Sequence, residues 1–100
     1  MVIYVGAEWC EPCKRFKAAA KRGELDREFP TLRLLEFDRD RDEARLQKAH
    51  CITDLVPLYA RPTADGRCDQ NRRTMGGIKG PGTVQFIARR MKKMLAMDPR

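Results

Sequence analysis

The sequence predicts an α/β fold, a mixed β-sheet with helices on both faces and its elements in the order β-α-β-α-β-β-α. Three observations carry that expectation. The chain opens on an apolar, β-favouring run that breaks at Gly6-Ala7 and leads into a helix-start signal. Strand-like and helix-like stretches then alternate until Asp65-Gly66 supplies a hairpin turn. The last stretch repeats apolar residues at helical spacing.

Val2-Ile3-Tyr4-Val5 reads as a short buried strand. Glu11-Pro12-Cys13-Lys14 opens the first helix, because proline fits a first turn, where its missing N–H is not needed. Phe16, Ala19 and Ala20 supply its inward face and Gly23 its stop. Phe29-Pro30 is a boundary, since the residue before proline avoids helical dihedrals. Thr31 to Phe37 is the second strand, and Asp38-Arg39-Asp40-Arg41-Asp42 a solvated connection into a helix over Glu43 to His50. Leu55 to Ala60 is the third strand, and Arg67 to Met75 an edge strand on account of its polarity. Gly76-Gly77, Gly80 and Gly82 form a joint before the final helix, Thr83 to Met97. There Val84, Ile87, Ala88, Met91, Met94 and Leu95 share one stripe, opposite Arg89, Arg90, Lys92 and Lys93.

One hundred residues with 42% hydrophobic and 35% charged side chains describe one domain with a limited core, and exclude a disordered chain. No stretch approaches the roughly 20 apolar residues that a membrane span needs. The apolar run at the N-terminus stops after five residues with no basic segment ahead of it, so a secretory signal is not expected. The expected compartment is the cytoplasm, where thiols stay reduced. The net charge is +7, and all of the excess falls in residues 55–100, with ten basic residues against three acidic ones. Such a field favours anionic partners without naming one.

Trp9-Cys10-Glu11-Pro12-Cys13 is the strongest signal for chemistry. Two thiols separated by two residues at a helix start close a small disulfide ring. The first-turn N–H groups and the helix dipole favour a thiolate at Cys10. That thiolate attacks a substrate disulfide as nucleophile, and Cys13 resolves the mixed disulfide. Cys10 is expected to be the more exposed of the two, with Cys13 one turn in, and Pro12 restricts the turn. The competing reading is half of a zinc site completed by Cys51, Cys68 or His50, but these do not come as a second close pair.

The stretch Tyr4 to Lys14 resembles the active-site strand and helix start of thioredoxin. Leu55-Val56-Pro57 resembles the segment that carries the superfamily's cis-proline, and Gly77 the glycine at its last strand-to-helix joint. The resemblance runs from Met1 to about Ala96. It implies a minimal thioredoxin fold lacking the first strand and helix of thioredoxin, and thiol–disulfide oxidoreductase activity. It further implies a cis Val56–Pro57 bond against the disulfide and a substrate surface of Trp9, Pro12, Val56, Pro57 and Gly77. The substrates would be protein disulfides and the donor thioredoxin reductase or glutathione. The chain would be a monomer with no metal and no cofactor beyond the Cys10–Cys13 disulfide.

Three departures qualify the resemblance. The trimmed plan is similar to glutaredoxins, but Leu55 stands where they usually have Thr, which argues against glutathione binding. Tyr4 stands where thioredoxins bury an Asp, and Glu36 at about the position of their buried lysine, which makes Glu36 a candidate proton acceptor through a Tyr4–Glu36 hydrogen bond. Leu58 follows the proline where Thr is common.

Cys51 and Cys68 read as lone buried thiols, or else as sites of a second, regulatory disulfide or of glutathione capping. His50 reads as a helix-end residue. The basic helix face and Arg72-Arg73 suit a solvated surface, with an acidic partner or nucleic acid as the sharper alternative. A non-catalytic adaptor, or a glutathione-dependent enzyme, are the alternatives to protein-disulfide reduction.

Overall fold

The computed structural model describes residues 1–51 and 54–97. Their order is β1 (Val2–Gly6), α1 (Glu11–Lys21), β2 (Leu34–Asp38), α2 (Glu43–Lys48), β3 (Leu58–Pro62), β4 (Cys68–Met75) and α3 (Thr83–Leu95). The four strands form one mixed sheet in the order β2-β1-β3-β4. β1 runs parallel to β2 and antiparallel to β3, and β3 is antiparallel to β4. The α/β class and element order expected from the sequence are therefore present. Among the described residues no helix is long and apolar enough to cross a membrane.

Strand alternation sorts β1 between the two sides of the sheet. Val2 and Tyr4 join the core on the side covered by α1 and α3, with Phe16, Tyr59, Ile87 and Met91. Ile3 and Val5 face the other side, with Leu46 of α2, Leu58, Ala60, Cys51 and Cys68. Both sides are covered, which is why all five residues of β1 are buried. On the first side Tyr59 stacks on Tyr4 with centroids 5.2 Å apart and meets Phe16 edge-on at 5.1 Å. Burial pushes the Tyr59 hydroxyl well above its ordinary range. It raises Tyr4 to about 12, with the carboxylates of Glu36 and Asp38 adding to the shift.

Several expected boundaries move. β2 begins at Leu34 rather than Thr31, because Val2, the first residue of β1, already pairs with Leu34 and leaves nothing for earlier residues to pair with. β3 begins at Leu58 rather than Leu55, since the cis Val56–Pro57 bond lies ahead of the first paired residue. α2 ends at Lys48 rather than at His50, which lies beyond the helix cap with φ +58°, the left-handed conformation common just past helix ends. α3 closes at Leu95, and its expected stripe is the buried face: Ile87, Ala88, Met91 and Met94 are buried.

β4 is the edge strand its polarity suggested, but its charges are not simply solvated. Arg72 and Asp69 form a largely buried ion pair at 2.9 Å, and the Arg73 guanidinium donates to the carbonyls of Asp69, His50 and Cys68. Arg73 fastens β4 to the turn after α2 and Arg72 pairs within β4, so neither is the solvated charge that the sequence suggested. The Asn71 amide and the Arg72 guanidinium hold the Asp69 carboxyl below its usual range.

Candidate active site

The loop from Ala7 to Cys10 carries the chain from the end of β1 into α1, with the Cys10 amide bonded to the Ala7 carbonyl at 3.1 Å. Cys10 is the N-cap of α1 in an extended conformation, and its Sγ accepts the Cys13 amide at 3.2 Å. A helix leaves its first N–H groups without internal partners, and here one of them points at a cysteine sulfur. Cys10 and Cys13 are joined as a disulfide, with α-carbons 5.3 Å apart. Pro12, Cys13, Phe16 and Ala19 are the buried face of α1, so Cys13 belongs to the core as much as to the site.

The expected exposure of Cys10 needs correction. It is 4% exposed against 2% for Cys13, so the order is as expected but both are buried. The cause is the N-cap position, which turns the Cys10 sulfur back over the first turn. Trp9 is instead the exposed member at 64%, its indole Nε1 donating to Asp40 Oδ2 at 3.0 Å. Asp40 is held in turn: Asp38 Oδ1 accepts the amides of Asp40 and Arg41, and Asp42 Oδ2 accepts the Asp38 amide. The alternating charges of 38–42 are thus a built turn.

The other expected site residues arrive from the far end of the chain. The Pro57 carbonyl accepts the Gly76 amide at 2.8 Å, which ties the cis peptide to the end of β4. One residue on, Gly77 faces Pro12. A β-carbon there would lie 2.9 Å from the Pro12 side chain and 3.1 Å from the buried Thr83 hydroxyl, so only glycine fits without a shift. Val56 is half-buried against the core cluster that contains Cys10 and Cys13. Gly77 thus meets Pro12 between the two cysteines, and the Pro57–Gly76 bond brings Val56 and Pro57 to the residue beside it. Exposed Leu55 and Ile78 flank Val56 and Gly77 in the chain.

Beside Cys13, on the β2 side, a cavity of about 550 Å³ is lined by Tyr4, Glu36, Asp38 and Lys17 among others. Tyr4 and Glu36 are register partners across β1 and β2, but the expected Tyr4–Glu36 hydrogen bond is not the one Glu36 makes. Its carboxylate binds Lys17 Nζ at 2.6 Å, because Lys17, one turn past Cys13 on α1, brings a full charge where the phenol offers a dipole.

Glu11, between the two cysteines, is marked by the sequence only as part of the helix start. Its Oε1 accepts the Gly80 amide at 2.7 Å and the Arg15 guanidinium at 2.9 Å. Those bonds, with Lys79 nearby, hold its carboxyl below the usual carboxylate range. Nothing in the sequence signals a contact across 69 positions.

Cys51 and Cys68 are not lone thiols. They form a second disulfide, with α-carbons 5.3 Å apart, in the core on the opposite side of the sheet from Cys10 and Cys13. The four cysteines cannot converge on one zinc ion across the sheet, which removes the ligand set the zinc reading needed. Among the described residues no cluster of metal-ligating side chains was found. Comparison of the chain with protein-family models, curated proteins and solved structures gives no match.

Proposed function

We propose that this chain is a thiol–disulfide oxidoreductase of the thioredoxin fold that reduces protein disulfides through the Cys10/Cys13 dithiol. The observation that carries the reading is the Cys10 sulfur at the N-cap of α1, accepting the Cys13 amide and bonded to Cys13. In the reduced protein the same N–H and the positive end of the helix stabilise a Cys10 thiolate.

The thiolate attacks one sulfur of a substrate disulfide, forming a mixed disulfide as the other substrate sulfur leaves as thiolate and takes a proton. Cys13, deprotonated, then attacks the Cys10 sulfur. The second substrate sulfur departs, and the Cys10–Cys13 disulfide is left. The proton from Cys13 passes into the adjacent cavity, where Glu36 is the acceptor this reading assigns. Two electrons have moved to the substrate, and an external donor such as thioredoxin reductase or glutathione restores the dithiol. Exposed Trp9 and Leu55, with Val56, Pro57 and Gly77, offer an extended peptide both apolar contact and backbone.

A Cys13→Ser variant tests the reading. It should accumulate a mixed disulfide between Cys10 and a disulfide-bonded protein such as insulin, detected by mass. Wild-type protein should turn over with one of the two donors. A Cys10 that captures no partner in the reduced variant would refute the assignment.

A further inference from the structure

Resting on the oxidoreductase reading, we propose that Glu11 is a positioning residue that fastens the Gly76–Gly82 loop to the active-site turn as one wall of the substrate groove. Two contacts clamp that loop to the active-site turn. Gly77 stands against Pro12 with no room for a β-carbon, and the Gly80 amide bonds Glu11 Oε1 at 2.7 Å. Both anchors lie between the two cysteines, so the loop is registered directly on the disulfide.

The loop's other backbone bonds lie elsewhere: the Gly76 amide to the Pro57 carbonyl, and the Gly80 carbonyl to the Thr83 amide at the start of α3. Gly76 and Gly80 adopt φ +80° and +96°, conformations that glycine alone takes readily, and neither would meet another atom with a β-carbon. Ile78, between the two clamped glycines, is 45% exposed, and its Cδ1 reaches Gly82. Without the Glu11 bond the segment beyond Gly77 would lose its tie to the active-site turn, and exposed Ile78 would shift with it. Arg15 from α1 and Lys79 from the loop face the same carboxylate, so its charge is balanced from both sides.

Two substitutions separate the bond from the charge. Glu11→Ala and Glu11→Gln both remove the negative charge beside the cysteines, but only Gln keeps an oxygen for the Gly80 amide. Glu11 is exposed, so neither disturbs the core. Amide exchange at Gly80 in the full chain should quicken about tenfold in the alanine variant and stay within about threefold of wild type in the glutamine variant. With insulin as substrate, Glu11→Ala should raise KM about three- to tenfold and move kcat less than about twofold, and Glu11→Gln should restore the wild-type KM.

Equal Gly80 exchange in all three proteins would overturn the tether. Faster exchange with no change in KM would overturn the groove wall. Equal KM changes in both variants would point to charge and likewise overturn it. A wild-type protein that reduces nothing would sink the oxidoreductase reading and the groove role together, and the exchange measurement would still decide whether the bond holds the loop.

Discussion

Each side of the sheet holds a disulfide between buried cysteines with α-carbons 5.3 Å apart, yet the two sit in different chemistry. Cys10–Cys13 spans three positions at the start of a helix. An N–H points at one of its sulfurs, a polar cavity opens beside the other, and an exposed Trp9 adjoins it. Cys51–Cys68 spans 17 positions and lies among Ile3, Val5, Leu46, Leu58 and Ala60, away from any helix N-terminus among the described residues. Local fields and access, more than the bond itself, set what a disulfide does. The first pair suits exchange. The second joins the end of the α2 turn to the start of β4 and closes a loop that contains Val56, Pro57 and all of β3.

The largest effects should come from breaking each bond in turn. Cys10→Ala should abolish reduction of insulin, with stability little changed. Cys51→Ala with Cys68→Ala should keep most of the turnover but lower unfolding stability by about 3 kcal/mol, the loss expected for a loop of this length. Turnover assays paired with urea unfolding read both. If the double variant loses activity in proportion to Cys10→Ala, the two sides are not divided as described. The division would also fail if the double variant unfolded at the wild-type urea concentration.

The same comparison shows what the sequence can disclose. Cys10, Cys13, Pro12 and the strand leading to them were legible because the signal is local: a proline in a first turn, two thiols one turn apart, a β-favouring run ahead. The α3 stripe was legible for the same reason. For Cys51 and Cys68 a second disulfide was one reading among several, since their meeting depends on the register of β3 against β4, including the irregularity between Ala60 and Pro62 that sets Pro62 opposite Cys68. Glu11–Gly80 and Trp9–Asp40 join distant segments, and only the assembled loops reveal them. Arg72 misled for a related reason, because a charge on an edge strand reads as solvated until a partner such as Asp69 is seen beside it.

A smaller effect is confined to the side that holds Cys10 and Cys13. Tyr4 is raised to about 12 and Tyr59 well above its ordinary value, both chiefly by burial. An acid whose folded pKa is raised favours the neutral form in the fold. The stability this gives is complete below the ordinary tyrosine pKa of about 10, and for Tyr4 it is lost as pH rises towards about 12. Ultraviolet titration should show little tyrosinate in folded protein at pH 10, and urea unfolding should become easier between pH 10 and 12. Tyrosinate appearing near pH 10 without unfolding would show that the Tyr4–Tyr59 stack is open to water.

The smallest expected effect bears on how the two sides differ, because the cavity beside Cys13 is lined by carboxylates. At neutral pH Tyr4 stays a neutral phenol and is no base, so of the register pair Tyr4 and Glu36 only the carboxylate can take a proton. Glu36 is about half exposed and paired with Lys17, so its help is that of a solvated base acting across the cavity. Glu36→Gln should therefore slow release of substrate from a preformed Cys10 mixed disulfide only about threefold at pH 7, far less than a base in direct contact would give. The diagnostic is the pH profile of that release step. The profile of the Glu36→Gln variant should differ in shape from that of wild type. Superimposable profiles would mean that the cavity carries no proton from Cys13. The polar opening beside the first disulfide would then no longer separate it from the second, and the helix N-terminus alone would have to account for the difference.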